Sequence, residues 1–178
     1  MDVNPSTLAP IIFILDVDGV MTDGKFYYTS EGKVMKVFGA DDSDALSLLA
    51  AHIDIHFVTG DKRGFAISRA RIEEDMKYPL SLVSTTKRAS WIAQRWDVQR
   101  VIYMGDGIFD HYVFSQVGYS IAPANADSVC LSTANYVTQR EGANRAVAEA
   151  SLHIMKKFFV AYDPTKPPAN SAGELSGG

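Results

Sequence analysis

An α/β fold, with a mostly parallel central sheet sandwiched between helices, is what this chain predicts. Three observations support it. Short apolar runs rich in Val, Ile and Phe alternate with helical stretches, the pattern of a parallel sheet. Three of those runs end abruptly in polar residues, as strands do where an open α/β sheet builds a site. The chain has 178 residues, with 47% hydrophobic and 21% charged, enough for one packed domain over residues 1–162.

The first run, Ile11 to Leu15, delivers Asp16-Val17-Asp18-Gly19 at its carboxyl end. Strand alternation sends Asp16 and Asp18 to one face and Val17 to the other. Two like charges so close repel, at a cost in free energy unless a cation or a reaction uses them. A surface turn could also carry such a pair, and Asp-x-Asp also opens a calcium loop. The calcium loop fails because Val20, Met21 and Tyr27 stand at its next ligand, glycine and glutamate positions.

Residues 25–38 read as a β-hairpin: Phe26-Tyr27-Tyr28 and Val34 to Phe38 flank the turn formers Thr29 to Lys33. A two-stranded ribbon is marginal alone, so it is expected to pack on the body or on another subunit. Asp41-Asp42-Ser43-Asp44 then suits the start of a helix over Ala45 to Ala51. Ile53 to Val58 is a strand ending in Thr59-Gly60, and a helix from Lys62 to about Met76 follows. Tyr78 to Val83 is a connection or small strand. Thr85-Thr86-Lys87 opens a helix whose stripe is Ala89, Ile92, Ala93 and Trp96.

Val101 to Met104 is the next strand, ending in Gly105-Asp106-Gly107-Ile108-Phe109-Asp110. Further strands are expected over 117–122 and 136–138. The last helix, about 143–159, has Val147, Ala150, Ile154 and Phe158 on one stripe. Residues 163–178, rich in Pro, Gly, Ser and Ala, read as a flexible tail.

A net charge of −4 gives no reason to expect nucleic acid or an anionic membrane as partner. The single cysteine, Cys130, forms no internal disulfide, and the chain lacks a membrane-length apolar stretch and a signal-like N-terminus, so the expected location is the cytoplasm. Phosphate-loop and His-Glu-x-x-His signatures are missing. His52, His56, His111 and His153 are scattered and read as structural or surface residues.

In a parallel sheet the three polar strand ends share one edge, which gathers Asp16, Asp18, Thr59, Gly60, Asp106 and Asp110, with Lys87 at the rim. These supply a nucleophile, carboxylates for a hard cation, and a hydroxyl and an ammonium for an anion. Phosphoryl transfer needs that inventory: a magnesium ion to screen the dianion and donors for the equatorial oxygens.

The motifs Asp16-Val17-Asp18-Gly19, Thr59, Lys87 and Gly105 to Asp110 resemble, in order, those of the haloacid dehalogenase superfamily of phosphatases. The hairpin in place of a cap domain, Lys36-Val37-Phe38 followed by Asp42, and Ala134 to Thr138 narrow the likeness to its capless subgroup of 3-deoxy-D-manno-octulosonate (KDO) 8-phosphate phosphatases. The resemblance implies a Rossmann-like three-layer sandwich and a Mg2+-dependent phosphatase. It implies Asp16 as nucleophile and metal ligand, Asp18 as general acid/base with its backbone carbonyl on the metal, Asp106 completing the metal site and Asp110 behind it. Thr59, Gly60 and Lys87 would bind phosphate, and Lys62, Arg63 or Arg145 a sugar-acid carboxylate. It implies a homotetramer in which the hairpin restricts the site.

A sialic-acid-like 9-phosphate is the alternative substrate, and a non-catalytic tetramerisation module associated with a sugar-nucleotide synthetase the alternative of another class. The chain departs from the subgroup at Gly107, at Asp61 where arginine is usual, at Asp42-Ser43 and over Glu141 to Arg145. These positions lie where substrate or subunit contacts are expected.

Overall fold

The computed structural model describes residues 9–166. The N-terminal eight residues and most of the expected tail, 167–178, lie outside it. Strands β1 (Ile12–Asp16), β4 (Asp54–Thr59), β5 (Leu80–Leu82), β6 (Val101–Met104), β7 (Tyr119–Ala122) and β8 (Tyr136–Val137) form a six-stranded sheet in the order β5-β4-β1-β6-β7-β8. Every pairing in it is parallel. Strands β2 (Tyr27–Thr29) and β3 (Gly32–Met35) form a separate antiparallel hairpin.

Strand alternation decides which helices go where. Phe13, Leu15, Phe57, Ile102 and Met104 point to one face, where they meet α1 (Asp41–Leu49) and α6 (Ala146–Phe158). Ile12, Ile14, Val58, Val101 and Tyr103 point to the other. There they meet Ile92 of α3 (Arg88–Ala93), Val113 and Phe114 of α4 (His111–Phe114) and Cys130 of α5 (Ser128–Thr133). Both faces are covered, so β1 is buried along its whole length. This accounts for a continuous apolar run where a half-exposed strand would alternate.

Several boundaries move. The acidic group at 41–44 lies inside the first turn of α1, where its charges still suit the helix dipole. The helix expected from Lys62 starts at Phe65 as α2 (Phe65–Arg69), then widens into a π-type turn over Ala70–Asp75. Thr85–Lys87 is a 3-10 turn that hands over to α3. The last helix begins at Ala146, because Ala143 and Arg145 both take left-handed backbone angles. α4 and α5 were not expected at all; each is too short to show a repeat. No helix among the described residues is long and apolar enough to cross a membrane.

β1 lies between β4 and β6, and the chain moves to one side of it for β4 and β5 and to the other for β6, β7 and β8. That reversal makes the tip of β1 the switch point, where a crevice opens at the carboxyl edge.

Candidate active site

Register brings the three polar tips together. Asp16 pairs with Val58, one residue before Thr59, and Leu15 pairs with Met104, two residues before Asp106. Gly19 turns the chain back at φ 88°, and a Cβ there would lie 1.9 Å from Asp106 Oδ2. Only glycine lets the Asp106 carboxylate come this close to the β1 loop.

Asp16 is buried, with its Oδ1 accepting from the Val17 amide at 2.7 Å. The larger interaction is with Arg88. Its Nη1 and Nη2 donate to Asp16 Oδ2 and Oδ1 at 2.6 and 2.9 Å, and Nη1 also reaches Asp110 Oδ1 and Tyr103 Oη, each at 2.9 Å. Arg88 is 1% exposed, so its charge is held entirely by these partners. A buried guanidinium can be kept in this way because its planar fork bridges two carboxylates at once.

Asp110 is saturated. Its Oδ1 accepts from Arg88 and from the Tyr103 hydroxyl, and its Oδ2 from the amides of Asp106 and Gly107. These bonds fold the Gly105–Asp110 loop and leave Asp110 with nothing further to offer. The Asp106 carboxylate, by contrast, accepts no hydrogen bond among the described residues. Oxygens of Asp16, Asp106 and Asp110 lie within 4.8 Å of one another.

The electrostatics follow from this crowding. Burial, offset by Arg88 and reinforced by Asp110, pushes Asp16 up to about 7. Burial together with the charges of Asp16 and Asp110 pushes Asp106 up to about 8. With all four ionised, Asp16, Asp18, Asp106 and Asp110 would face two cations, Arg88 and Lys36, and carry two negative charges in excess. That surplus fits a divalent cation, and Asp106 is the carboxylate with free oxygens to receive one.

Asp18 is partly exposed and held on both oxygens. Thr59 Oγ1 donates to its Oδ2 at 3.1 Å, and Lys36 Nζ lies 2.7 Å from its Oδ1. Thr59 is fully buried, and Gly60 follows it at the exposed rim. A Cβ on Gly60 would sit 3.3 Å from Thr85, so the Thr85–Lys87 turn flanks the same edge. Lys87 itself is exposed there. Lys62 and Arg63 are exposed on the loop after Gly60, and Arg145 is ion-paired with Asp41.

Neither Arg88 nor Lys36 was expected in the site from the sequence, although Lys36 carries part of the family likeness. For Arg88 a signal existed: it stands four residues before the buried Ile92, on the same helical face, whereas Lys87 is rotated about 100° away. The histidines stay out of the crevice. His56 packs with Trp91 and Trp96, His153 stacks on Tyr136, His52 stacks on Phe159, and His111 bonds the Ile108 carbonyl.

A family model described as haloacid dehalogenase-like hydrolase matches residues 89–150. The 3-deoxy-D-manno-octulosonate 8-phosphate phosphatase of Yersinia pestis is 32% identical over 148 residues, covering 78% of this chain and 75% of its own. The chain belongs to the haloacid dehalogenase-like hydrolases. It is a phosphatase of that family, related to the KDO 8-phosphate phosphatases.

Solved structures of the same family share the fold. The Moraxella catarrhalis KDO 8-phosphate phosphatase, in complex with a magnesium ion, a phosphate ion and KDO, superposes with a TM-score of 0.71 at 25% identity, covering 83% of this chain and 87% of its own. The cobalt-bound form of the Haemophilus influenzae enzyme gives 0.73 at 25% identity, covering 84% and 89%. A metal-bound relative and an acidic cluster with uncompensated charge agree on Mg2+ as the cofactor.

Proposed function

We propose that this phosphatase hydrolyses the phosphate monoester of a 2-keto-3-deoxy sugar acid, KDO 8-phosphate first, through an aspartyl-phosphate on Asp16. The observation that carries the reading is the β1 tip. Asp16 is fixed there by the Arg88 fork, and Asp18, two residues on, is turned toward Thr59 and Lys36.

Asp16, the Asp18 backbone carbonyl and Asp106 would hold Mg2+, with Asp110 keeping the Asp106 loop in place. When bound, the ion screens the repulsion between the phosphate dianion and the carboxylates. An Asp16 oxygen forms the new bond to phosphorus while the ester P–O bond breaks, and Asp18 protonates the departing oxygen. Water then attacks the phosphorus, Asp18 takes its proton, and the Asp16–phosphorus bond breaks. Arg88 orients Asp16 throughout. The Gly60 amide and Lys87, at the exposed rim, complement the equatorial oxygens, joined by the buried Thr59 hydroxyl when it turns from Asp18. Lys62 and Arg63, exposed just beyond Gly60, would meet the sugar-acid carboxylate ahead of Arg145, which is ion-paired with Asp41.

Self-association into a homotetramer belongs to the same reading. Its support is the hairpin, where Tyr27, Tyr28, Val34 and Met35 are each about half exposed, from 49% to 56%. The cytoplasm remains the proposed location, in keeping with a lone reduced cysteine.

Phosphate release from a panel of sugar phosphates, with and without magnesium, tests the reading. KDO 8-phosphate should be turned over fastest, only with the metal, and Asp16→Asn should be inactive. A sialic-acid 9-phosphate turned over faster would favour the nine-carbon alternative. No turnover of any ester, or an Asp16→Asn variant as active as wild type, overturns the proposal.

A further inference from the structure

The hairpin is tied to the site by charge. Lys36, just beyond β3, is completely buried at its ammonium, which lies 2.7 Å from Asp18 Oδ1, 2.9 Å from Asp61 Oδ2 and 2.8 Å from Ser68 Oγ. Lys33, within β3, also reaches Asp61 and lies over the Phe26 ring at 3.2 Å from its centroid. Asp61 is held in turn: its Oδ1 accepts from the Gly64 amide at 3.0 Å, and its own amide donates to Thr59 Oγ1 at 3.1 Å.

The contacts close a ring. Thr59 donates to Asp18, Asp18 faces Lys36, Lys36 faces Asp61, and Asp61 donates back to Thr59. Gly64 makes room for it, since a Cβ there would fall 2.2 Å from Asp61 Oδ2 and 2.9 Å from Lys36 Cε. Burial works to raise Asp61, but the hydrogen bonds from Lys33 and Lys36 outweigh it and bring the carboxyl down to about 2. Asp61 is therefore a fixed negative partner for the two lysines at any working pH. Within the ring Asp18 Oδ2 is hydrogen-bonded by Thr59, while Oδ1 has no partner but the Lys36 ion pair, so the placement of Asp18 depends on a residue that belongs to the hairpin.

We propose that Lys36 is a positioning residue for Asp18, and that Asp61 holds it there by pinning the hairpin to the body of the fold. The inference rests on the reading of Asp18 as the group that gives the proton to the leaving oxygen. An ammonium at this place fixes the carboxyl relative to the ester oxygen, and proton transfer is sensitive to such placement. A staple for the fold alone would do no more than keep the hairpin down.

Leaving groups separate the two roles. An alkyl ester needs its departing oxygen protonated, whereas p-nitrophenolate leaves without help. kcat/KM reports the steps through phosphoryl transfer to Asp16, so it is measured for wild type, Lys36→Met, Lys36→Arg and Asp61→Asn on the fastest alkyl phosphate of the panel and on p-nitrophenyl phosphate. Lys36→Met should lose about 10²-fold on the alkyl ester and less than about 10-fold on the aryl ester, with Lys36→Arg recovering part of the loss. Asp61→Asn, which loosens the hold on Lys36 without removing its ammonium, should show the same selectivity more weakly, and it decides alone if Lys36→Met does not fold. An equal loss on both esters, or none, overturns the proposal. An Asp18→Asn variant as active as wild type on the alkyl ester would remove the underlying reading; an inactive one beside an unselective Lys36→Met would remove only the positioning role.

Discussion

Replacing Arg88 by methionine tests the architecture of the site. The substitution keeps an apolar stem of similar length and deletes the fork that binds Asp16 twice and touches Asp110 and Tyr103. Side-chain exposures of 1% for Arg88, 8% for Asp16 and 2% for Asp110 mean that water cannot take over. Removing one partner of a buried ion pair costs about 3–5 kcal/mol, because the remaining charges stay desolvated. For a domain of this size each kcal/mol shifts Tm by about 2–4 °C, so the expected drop is about 6–20 °C. Lysine at this position keeps the charge but cannot bridge both carboxylates, and should fall between. The assay is thermal unfolding in EDTA and again in millimolar magnesium, where a cation beside Asp16 and Asp106 should return part of the loss. An Arg88→Met variant melting within about 2 °C of wild type in EDTA would refute the reasoning, since no buried charge is then left unpaired at the sensitivity of the method.

The metal-free protein should lose stability as pH rises. Asp16 and Asp106 have folded values of about 7 and 8 against an ordinary 3.8, so their contribution is fully present below about pH 4 and is lost as pH climbs through 7 to 8. Asp61, drawn down to about 2, acts the other way and is lost only in strong acid. Urea unfolding in EDTA between pH 4 and pH 8 should therefore show a decline that magnesium flattens, and Asp106→Asn should make it shallower; a flat or rising curve without metal counts against the crowded-carboxylate account. The hairpin gives a prediction about mass. Tyr28→Ser with Val34→Ser, at sites 56% and 51% exposed, should reduce the particle to a monomer in light scattering with the fold intact, and an unchanged mass would end the role of this ribbon in assembly.

Much of the centre was legible because strand alternation and parallel topology are strong constraints. Asp16 and Asp18, Thr59, and Asp106 and Asp110 sit at the ends of β-branched runs that have no other place in an α/β protein, and the register brings them within reach. The cations were less legible. Lys87 and Arg88 are neighbours, and only the stripe set by Ile92, four residues after Arg88, separates them, a faint signal where a 3-10 turn passes into a short α3. Lys36 was hidden for another reason. It follows an exposed β3 whose alternation says nothing about burial, and its partners Asp18, Asp61 and Ser68 are remote in sequence. Phe38 likewise looked like the end of a strand, yet it bridges Thr22 and packs against the α1–α6 core.

The hairpin thus divides its contacts by chemistry. The attachments it makes to the body through Lys33 and Lys36 are ionic and converge on Asp61 and Asp18, while its aromatic and aliphatic side chains at 27, 28, 34 and 35 stay turned to solvent. Apolar packing would hold the ribbon down without regard to what happens beneath it. Ion pairs to a carboxylate at the reacting end of the crevice make its seating depend on the charge there. Asp61 pairs with both Lys33 and Lys36, so the ribbon has an attachment that does not run through Asp18. An arginine at position 61 would repel both lysines, and a hairpin of this sequence would then need its hold from elsewhere.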